Sequence, residues 1–266
     1  MSLERFCDEL GPEKIVHIYD PVCGVQGMVV IDNTACGAAI GGLRLAADVT
    51  VEEVFRLARA MTLKNAAAGL PHGGGKSGLR ADPRSADKPR LVRAFARAIR
   101  QLSDYIPGPD MGTDETCMAW IYDEIGRAVG RPRVLGGIPL DEIGATAYGL
   151  AQCAELAAPY CDLSLKGARL AVEGFGNVGR PAAQFLARMG VQLVAASDSQ
   201  GAIYHAPGLD VDKLIAVKKR TGSVVHHEPG ERLTQADLLT LPCDILIPAA
   251  RPDCIHAGMP GRFRRD

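Results

Sequence analysis

The sequence predicts an α/β protein of two domains. Three observations lead there. The 266 residues suffice for two domains of ordinary size. The first half alternates sheet-like and helical hydrophobic periods. The second half, after a composition change near Gly136, carries a strand–helix–strand run that reads as a parallel βαβ unit.

Taken in order, residues 26–45, QGMVVIDNTACGAAIGGLRL, alternate apolar and small residues and read as sheet. Thr50 opens a helix, and Glu53 three residues later is expected to complete a capping box. Val51, Val54, Phe55, Ala58, Met61 and Thr62 form its buried stripe, and Gly69 and Pro71 stop it. A second helix is predicted over 88–103, with Arg90, Arg93, Arg97 and Arg100 on one face. An arginine stripe can bind phosphate, but with no aromatic or net-charge signal beside it the stripe reads as a solvated or intersubunit face. PGPDMGT (107–113) is a turn-rich loop, followed by a helix over 115–129 whose Trp120 reads as core. Beyond Gly136 the expected elements are a helix over 141–160, a strand over 168–173, a helix over 177–189 and a strand over 191–196. A helix over 211–220 and a strand over 243–248 follow.

Composition excludes several classes. Hydrophobic residues make up 47 % and charged residues 23 %, as in soluble globular proteins. A net charge of −1 offers no attraction to nucleic acid or to an anionic membrane. No apolar run reaches membrane-spanning length, and MSLERFCDELGPEK is no signal peptide. The eight cysteines contain no C-x-x-C and read as reduced thiols, which points to the cytoplasm. No histidine–cysteine spacing suits zinc, so no metal is expected.

Residues 64–78, KNAAAGLPHGGGKSG, place Lys64 and Lys76 twelve positions apart, one at a helix end and one behind three glycines. Of the 30 basic residues 22 are arginine, so a lysine in an apolar, glycine-rich setting suggests a need for an amine. Burial and a like-charged neighbour can turn lysine, unlike arginine, into a base near neutral pH. The alternative reading makes Lys64 a helix C-terminal charge and the glycines a loop, with Lys76 in or just after it. His72 reads as loop packing.

Gly174-Phe175-Gly176-Asn177-Val178-Gly179 is G-x-G-x-x-G between a predicted strand and a predicted helix, the context that makes this motif specific. The glycines allow the tight turn, the approach of a pyrophosphate and close helix–strand packing, and the helix N-terminus attracts the anion. Asp198 lies just past the second strand, where a carboxylate holding an adenosine ribose belongs; an ordinary Asp-Ser turn is the alternative. With no basic residue directly after Asp198, NAD is expected over NADP, which is not excluded.

Together these elements resemble the Glu/Leu/Phe/Val dehydrogenase family, which deaminates L-amino acids to 2-oxo acids. The resemblance runs over about residues 20–258, through Gly41-Gly42-Leu43-Arg44, Met61-Thr62-Leu63-Lys64-Asn65, Gly73-Gly74-Gly75-Lys76, Gly108-Pro109-Asp110-Met111-Gly112-Thr113, Gly144-Ala145-Thr146 and Gly174–Gly179. It implies an N-terminal substrate-binding and oligomerisation domain over 1–140 and an incomplete Rossmann-like NAD-binding domain over 141–266. It further implies that Lys64 holds the substrate α-carboxylate, Lys76 is the catalytic lysine, Asp110 shuttles protons and Thr146 contacts the nicotinamide carboxamide. Glutamate-specific members resemble K-G-G where this chain reads Ile40-Gly41-Gly42, as the apolar-substrate members do. A buried glutamate side chain without a cation loses a charge-assisted contact. An apolar amino acid is therefore the expected substrate, with glutamate the alternative, although GPDMGT and Met118-Ala119-Trp120 look more like the glutamate branch. A homo-oligomer is expected, and a non-catalytic oligomerisation partner is the alternative from another class. The basic ending PGRFRRD is unlike the family, whose members run on, so a C-terminally truncated chain with weak NAD binding and little turnover is expected.

Overall fold

The computed structural model describes residues 6–140, 142–250 and 253–256. The chain divides into two compact units, Met1–Pro139 and Leu140–Asp266.

The first unit contains strands β1 (Lys14–Asp20), β2 (Val25–Asn33), β3 (Ala39–Leu45), β4 (Gly73–Leu79) and β5 (Tyr105–Gly108), with helices α1 (Val51–Ala67), α2 (Lys88–Ala98) and α3 (Glu115–Ile125). The strands form one sheet in the order β1-β2-β4-β3-β5; β1 and β4 run antiparallel to β2, while β3 runs parallel to β4 and β5. Successive side chains of a strand point to opposite faces, and β2 uses both. Val29 and Ile31 join Leu43, Leu79, Phe95, Ile99, Tyr105 and Met118 in one core. Met28 and Val30 join Val54, Phe55 and Ala58 of α1 in another.

The glycine run expected as a loop is strand β4, and its fully buried backbone explains the composition. A Cβ on Gly73 would lie 1.8 Å from the Asn33 carbonyl oxygen, and one on Gly74 would lie 2.0 Å from the Thr62 amide nitrogen of α1. Gly73 thus serves close approach of β4 to the end of β2, and Gly74 close approach of helix to strand, rather than a turn. Asp32, fully buried on β2, clamps the same helix: its Oδ2 accepts from Arg59 Nε at 2.9 Å and from Thr62 Oγ1 at 2.6 Å. Asn65 Nδ2 donates to the Gly73 carbonyl at 2.7 Å and ties the end of α1 to the start of β4.

Both later helices of this unit are shorter than predicted. Gly126, at φ 72°, ends α3 in the left-handed conformation that favours glycine. The Arg127 guanidinium then donates to the carbonyls of Ile99, Arg100, Leu102 and Tyr105, meeting carbonyls that α2 leaves open where it stops. The arginine stripe of α2 is engaged within the unit. Arg93 reaches Asp123 and Glu124, Arg97 reaches Glu124, and Arg100 donates to the Glu124 carbonyl. The predicted N-cap of α1 forms, Thr50 Oγ1 accepting from the Glu53 amide, but the Glu53 carboxylate turns to Arg44 instead of closing a capping box.

The second unit contains β6 (Arg169–Glu173), β7 (Gln192–Asp198), β8 (Gly201–Tyr204), β9 (Glu231–Leu233) and β10 (Ile245–Pro248), with α4 (Ala145–Ala157), α5 (Gly179–Arg188), α6 (Val211–Thr221) and α7 (Gln235–Leu238). Residue 141, where a helix start was expected, lies outside the described residues; α4 begins after Gly144 at φ 67°. The sheet order is β10-β6-β7-β8-β9. β6 is parallel to β7 and β10, which is the predicted βαβ unit, while β8 and β9 add an antiparallel extension that short strands between turn residues did not announce. Its core gathers Leu170, Val172, Leu193, Ala196, Leu186 and Leu214.

Gly74→Ala should destabilise the protein by about 3 kcal/mol, the upper end of overpacking costs, because Cβ meets helix backbone rather than a flexible side chain. Urea denaturation followed by circular dichroism measures this, and an unchanged midpoint would contradict the packing of α1 on β4.

Candidate active site

Of the residues singled out in the first unit, Lys76 in the middle of β4, Gly42 in the middle of β3 and Asp110 in the loop after β5 come together. Lys76 sits on β4 and is only 6 % exposed. Its Nζ lies 3.2 Å from Asp110 Oδ2. Gly42 makes this contact possible: a Cβ there would stand 2.7 Å from Asp110 Cβ and 3.2 Å from Lys76 Nζ. Gly41 packs against β4, where a Cβ would lie 1.6 Å from the Gly75 carbonyl oxygen. Its own carbonyl accepts from Tyr105 hydroxyl at 2.8 Å, and Tyr105 in turn meets Ser77 Oγ at 2.8 Å. Burial, aided by the Asp110 charge, pushes the Tyr105 hydroxyl above its ordinary range, so it stays a donor.

The loop bearing Asp110 is fixed by Thr113, whose Oγ1 donates to the Leu43 carbonyl at 2.8 Å and accepts the Asp110 amide at 2.9 Å. Arg44 completes the cluster. Its Nε donates to Asp110 Oδ2 at 2.9 Å, and its other arm pairs with Glu53. Asp110 Oδ2 thus receives both a lysine and an arginine. Burial pushes the Lys76 ammonium below its ordinary range; Asp110 opposes this, while Arg44 and Lys64 add to it. Lys64 is exposed in the last turn of α1, and Ile40 is half-buried on β3, between Gly74 and Ile106 in register. His72 packs its loop, with Nδ1 3.1 Å from the Ala38 carbonyl. Arg44 and Thr113 belong to motifs read from the sequence, but nothing in their spacing disclosed that they support Asp110.

In the second unit a cavity of about 320 Å³ opens at the carboxyl ends of β6, β7 and β10, lined by Glu173, Gly174, Phe175, Gly176, Ser197, Asp198, Ser199, Lys218, Gln235, Ala249 and Ala250. Ligands of open α/β sheets bind in this position. Gly174 has φ 90°, and its Cβ would strike Ala250; a Cβ on Gly179 would stand 2.1 Å from the Gly174 carbonyl oxygen. A Cβ on Gly176 would meet nothing within 4 Å, so the middle glycine leaves its face of the turn open. Asn177 and Val178 lead into the first turn of α5, whose amides have no acceptor within the helix. Tight turn, open approach and close packing fit the pyrophosphate of a dinucleotide. Asp198 ends β7 as expected, but its carboxylate is engaged inside the unit by four donors, among them Lys218 Nζ at 3.0 Å. Thr146 is exposed in the first turn of α4. Among the described residues no cluster of histidine, cysteine and carboxylates could hold a metal ion.

The first unit thus carries a buried lysine–aspartate pair, and the second carries a glycine turn of dinucleotide type. The chain belongs to the Glu/Leu/Phe/Val dehydrogenase family: residues 12–127 match its dimerisation domain and residues 136–259 its Glutamate/Leucine/Phenylalanine/Valine dehydrogenase domain. It is 41 % identical to the glutamate dehydrogenase of Thermotoga maritima over 95 % of this chain and 66 % of that protein. It is 35 % identical to the NADP-specific glutamate dehydrogenase of Saccharolobus shibatae over 92 % of this chain and 63 % of that one. The fold resembles a subunit of hetero-hexameric glutamate dehydrogenase from Thermus thermophilus in its Leu bound form, with TM-score 0.82 and 33 % identity over 94 % of this chain and 64 % of that one. The chain therefore spans just under two thirds of the length of these relatives.

Because only the neutral amine is acylated, Lys76 should reach half its limiting acylation rate at a pH below the ordinary lysine range, read by mass spectrometry. Arg44→Met removes a cation that disfavours the ammonium, so the Lys76 midpoint should move to higher pH. A midpoint that moves down, or does not move, would contradict the electrostatics described here.

Proposed function

We propose that the protein oxidatively deaminates an L-amino acid to a 2-oxo acid and ammonia, passing the hydride to NAD or NADP. The buried Lys76–Asp110 pair carries this reading. In the proposed reaction Lys64 holds the substrate α-carboxylate as a point charge at the exposed end of α1. A dinucleotide held at the Gly174–Gly179 turn would supply the acceptor for hydride from Cα, and the substrate would become an imino acid. The Lys76 amine, its proton affinity lowered by burial, takes a proton from the water that attacks the imino carbon. Asp110 Oδ2, within hydrogen-bond reach of Nζ, exchanges that proton and delivers it to the departing nitrogen. Arg44 Nε holds Asp110 in place through the same oxygen that Lys76 meets.

Glutamate is the substrate that the comparisons support best, since the relatives described above are glutamate dehydrogenases. Ile40 keeps a second reading open, because an isoleucine offers no charge to a γ-carboxylate and suits leucine, valine or phenylalanine. The match of the first unit to a dimerisation domain supports assembly, and the mixed hexamer from Thermus thermophilus provides a precedent for a chain of this type working beside a second kind of subunit.

Reduction of NAD and NADP by the purified full chain against a panel of L-amino acids tests the reaction. Lys76→Ala should lower turnover by about 10²–10⁴-fold, the usual contribution of a general base, with dinucleotide affinity nearly unchanged. Equal rates in parent and variant would remove Lys76 from the mechanism. Asp110→Asn should reduce kcat far more than it raises KM, since shape is kept and proton exchange is lost. Ile40→Lys should raise the rate on glutamate relative to leucine; the reverse shift would place Ile40 outside the side-chain pocket.

A further inference from the structure

The carboxylate at the end of β7 does not present itself as a free acceptor. Asp198 is 8 % exposed. Its Oδ1 accepts from the Gln200 amide at 3.0 Å and from Ser223 Oγ at 2.9 Å, and its Oδ2 accepts from the Val224 amide at 2.8 Å and from Lys218 Nζ at 3.0 Å. A carboxylate offers about four lone-pair sites, and here all four are engaged. A ribose 2′-hydroxyl could use this group only by displacing one of those donors. Three of them belong to the β7–β8 turn and to the segment after α6: the Gln200 and Val224 amides and the Ser223 hydroxyl. The fourth is a lysine side chain.

Lys218 differs from the other three donors. It stands on α6, its side chain is 26 % exposed, and it lines the same cavity as Gly174 and Gly176. An ammonium has three N–H donors, and Asp198 takes one. Lys218 and Ser199 line the cavity together, which puts the charged side chain at its wall. Lys218 also neutralises Asp198, so the ribose corner no longer carries the net negative charge by which such a carboxylate repels a 2′-phosphate. A bare ion pair joining helix to strand is the competing explanation, and it predicts no effect on nucleotide choice.

We infer that Lys218 sets the dinucleotide specificity of this site, and that the corner it shares with Asp198 accepts a ribose bearing a 2′-phosphate as well as one bearing a free 2′-hydroxyl. This rests on the reading of the Gly174–Gly179 turn as a dinucleotide site. The phosphate would take N–H donors from Lys218 that Asp198 leaves unused, in the way that a basic side chain near the ribose accommodates NADP elsewhere. The expectation of NAD over NADP rested on the residues directly after Asp198; the cation arrives instead from twenty positions downstream.

Calorimetric titration of the full chain with 5′-AMP and with 2′,5′-ADP isolates this corner and needs no turnover. The parent should bind 2′,5′-ADP at least as tightly as 5′-AMP, with the difference shrinking as salt is raised. Lys218→Gln should weaken 2′,5′-ADP at least tenfold while changing 5′-AMP less than threefold, and Lys218→Arg should restore the 2′,5′-ADP affinity. Should the glutamine variant not fold, the arginine variant and the salt dependence decide the matter in its place. Parent binding of 5′-AMP with tenfold weaker 2′,5′-ADP would overturn the inference and leave the dinucleotide reading intact, as would equal losses of both nucleotides in Lys218→Gln. Binding of neither nucleotide by the parent would overturn the dinucleotide reading and this inference together.

Discussion

The first unit depends on the contact between α1 and the glycine strand β4. The helix lies so close that no side chain larger than hydrogen fits at Gly74, and the buried Asp32 holds it there through Arg59 and Thr62. That closeness strips water from β4 and makes Lys76 a buried amine. Desolvation lowers its proton affinity before any neighbour is considered, and the neighbours then adjust the result. The conformational freedom of three successive glycines is costly to fix in a strand. The sheet tolerates it because β4 is paired on both sides, by β2 and by β3.

The charge array built on this contact has a clear logic. Asp110 faces two cations, and a single carboxylate oxygen serves both. Arg44 cannot give up its proton, so its pairing with Asp110 and Glu53 is permanent. Lys76 can give up its proton. The arrangement separates a fixed cation, which holds the aspartate in place, from a titratable one. In the second unit the same kind of pairing recurs with a different emphasis. The many donors around Asp198 hold its carboxyl below the usual carboxylate range despite a burial cost that would raise it.

Much of this was legible from residue order. The βαβ unit, the glycine turn and the pairing of Lys76 with Asp110 all follow from motifs whose members are close in sequence or whose family pattern is distinctive. What was not legible depends on approach in space. Gly73–Gly75 read as loop because composition does not reveal a helix packed against a strand. Glu53 read as a capping partner because the pull of Arg44, nine residues earlier on another element, has no local signature. Lys218 was one of several basic residues near the end of α6, and only the fold carries it to Asp198. The α2 and α3 termini shifted inward because Arg127 and Gly126 end the helices where hydrophobic periodicity alone continues them.

Helix α1 carries a consequence of its own. Its first turn bears Glu53, the anchor of Arg44, and its last turn bears Lys64. Eleven residues at helical rise separate them by about 16 Å. A rigid rod of that length acts as a gauge bar between the two ends of the charge array. Any sliding of the rod along β4 carries both ends the same distance, so the spacing between the exposed ammonium and the arginine anchor cannot vary independently. Tolerances at the two ends are therefore shared, and the glycine seat at Gly74, which meets the rod at Thr62 beside its Lys64 end, fixes both of them at once.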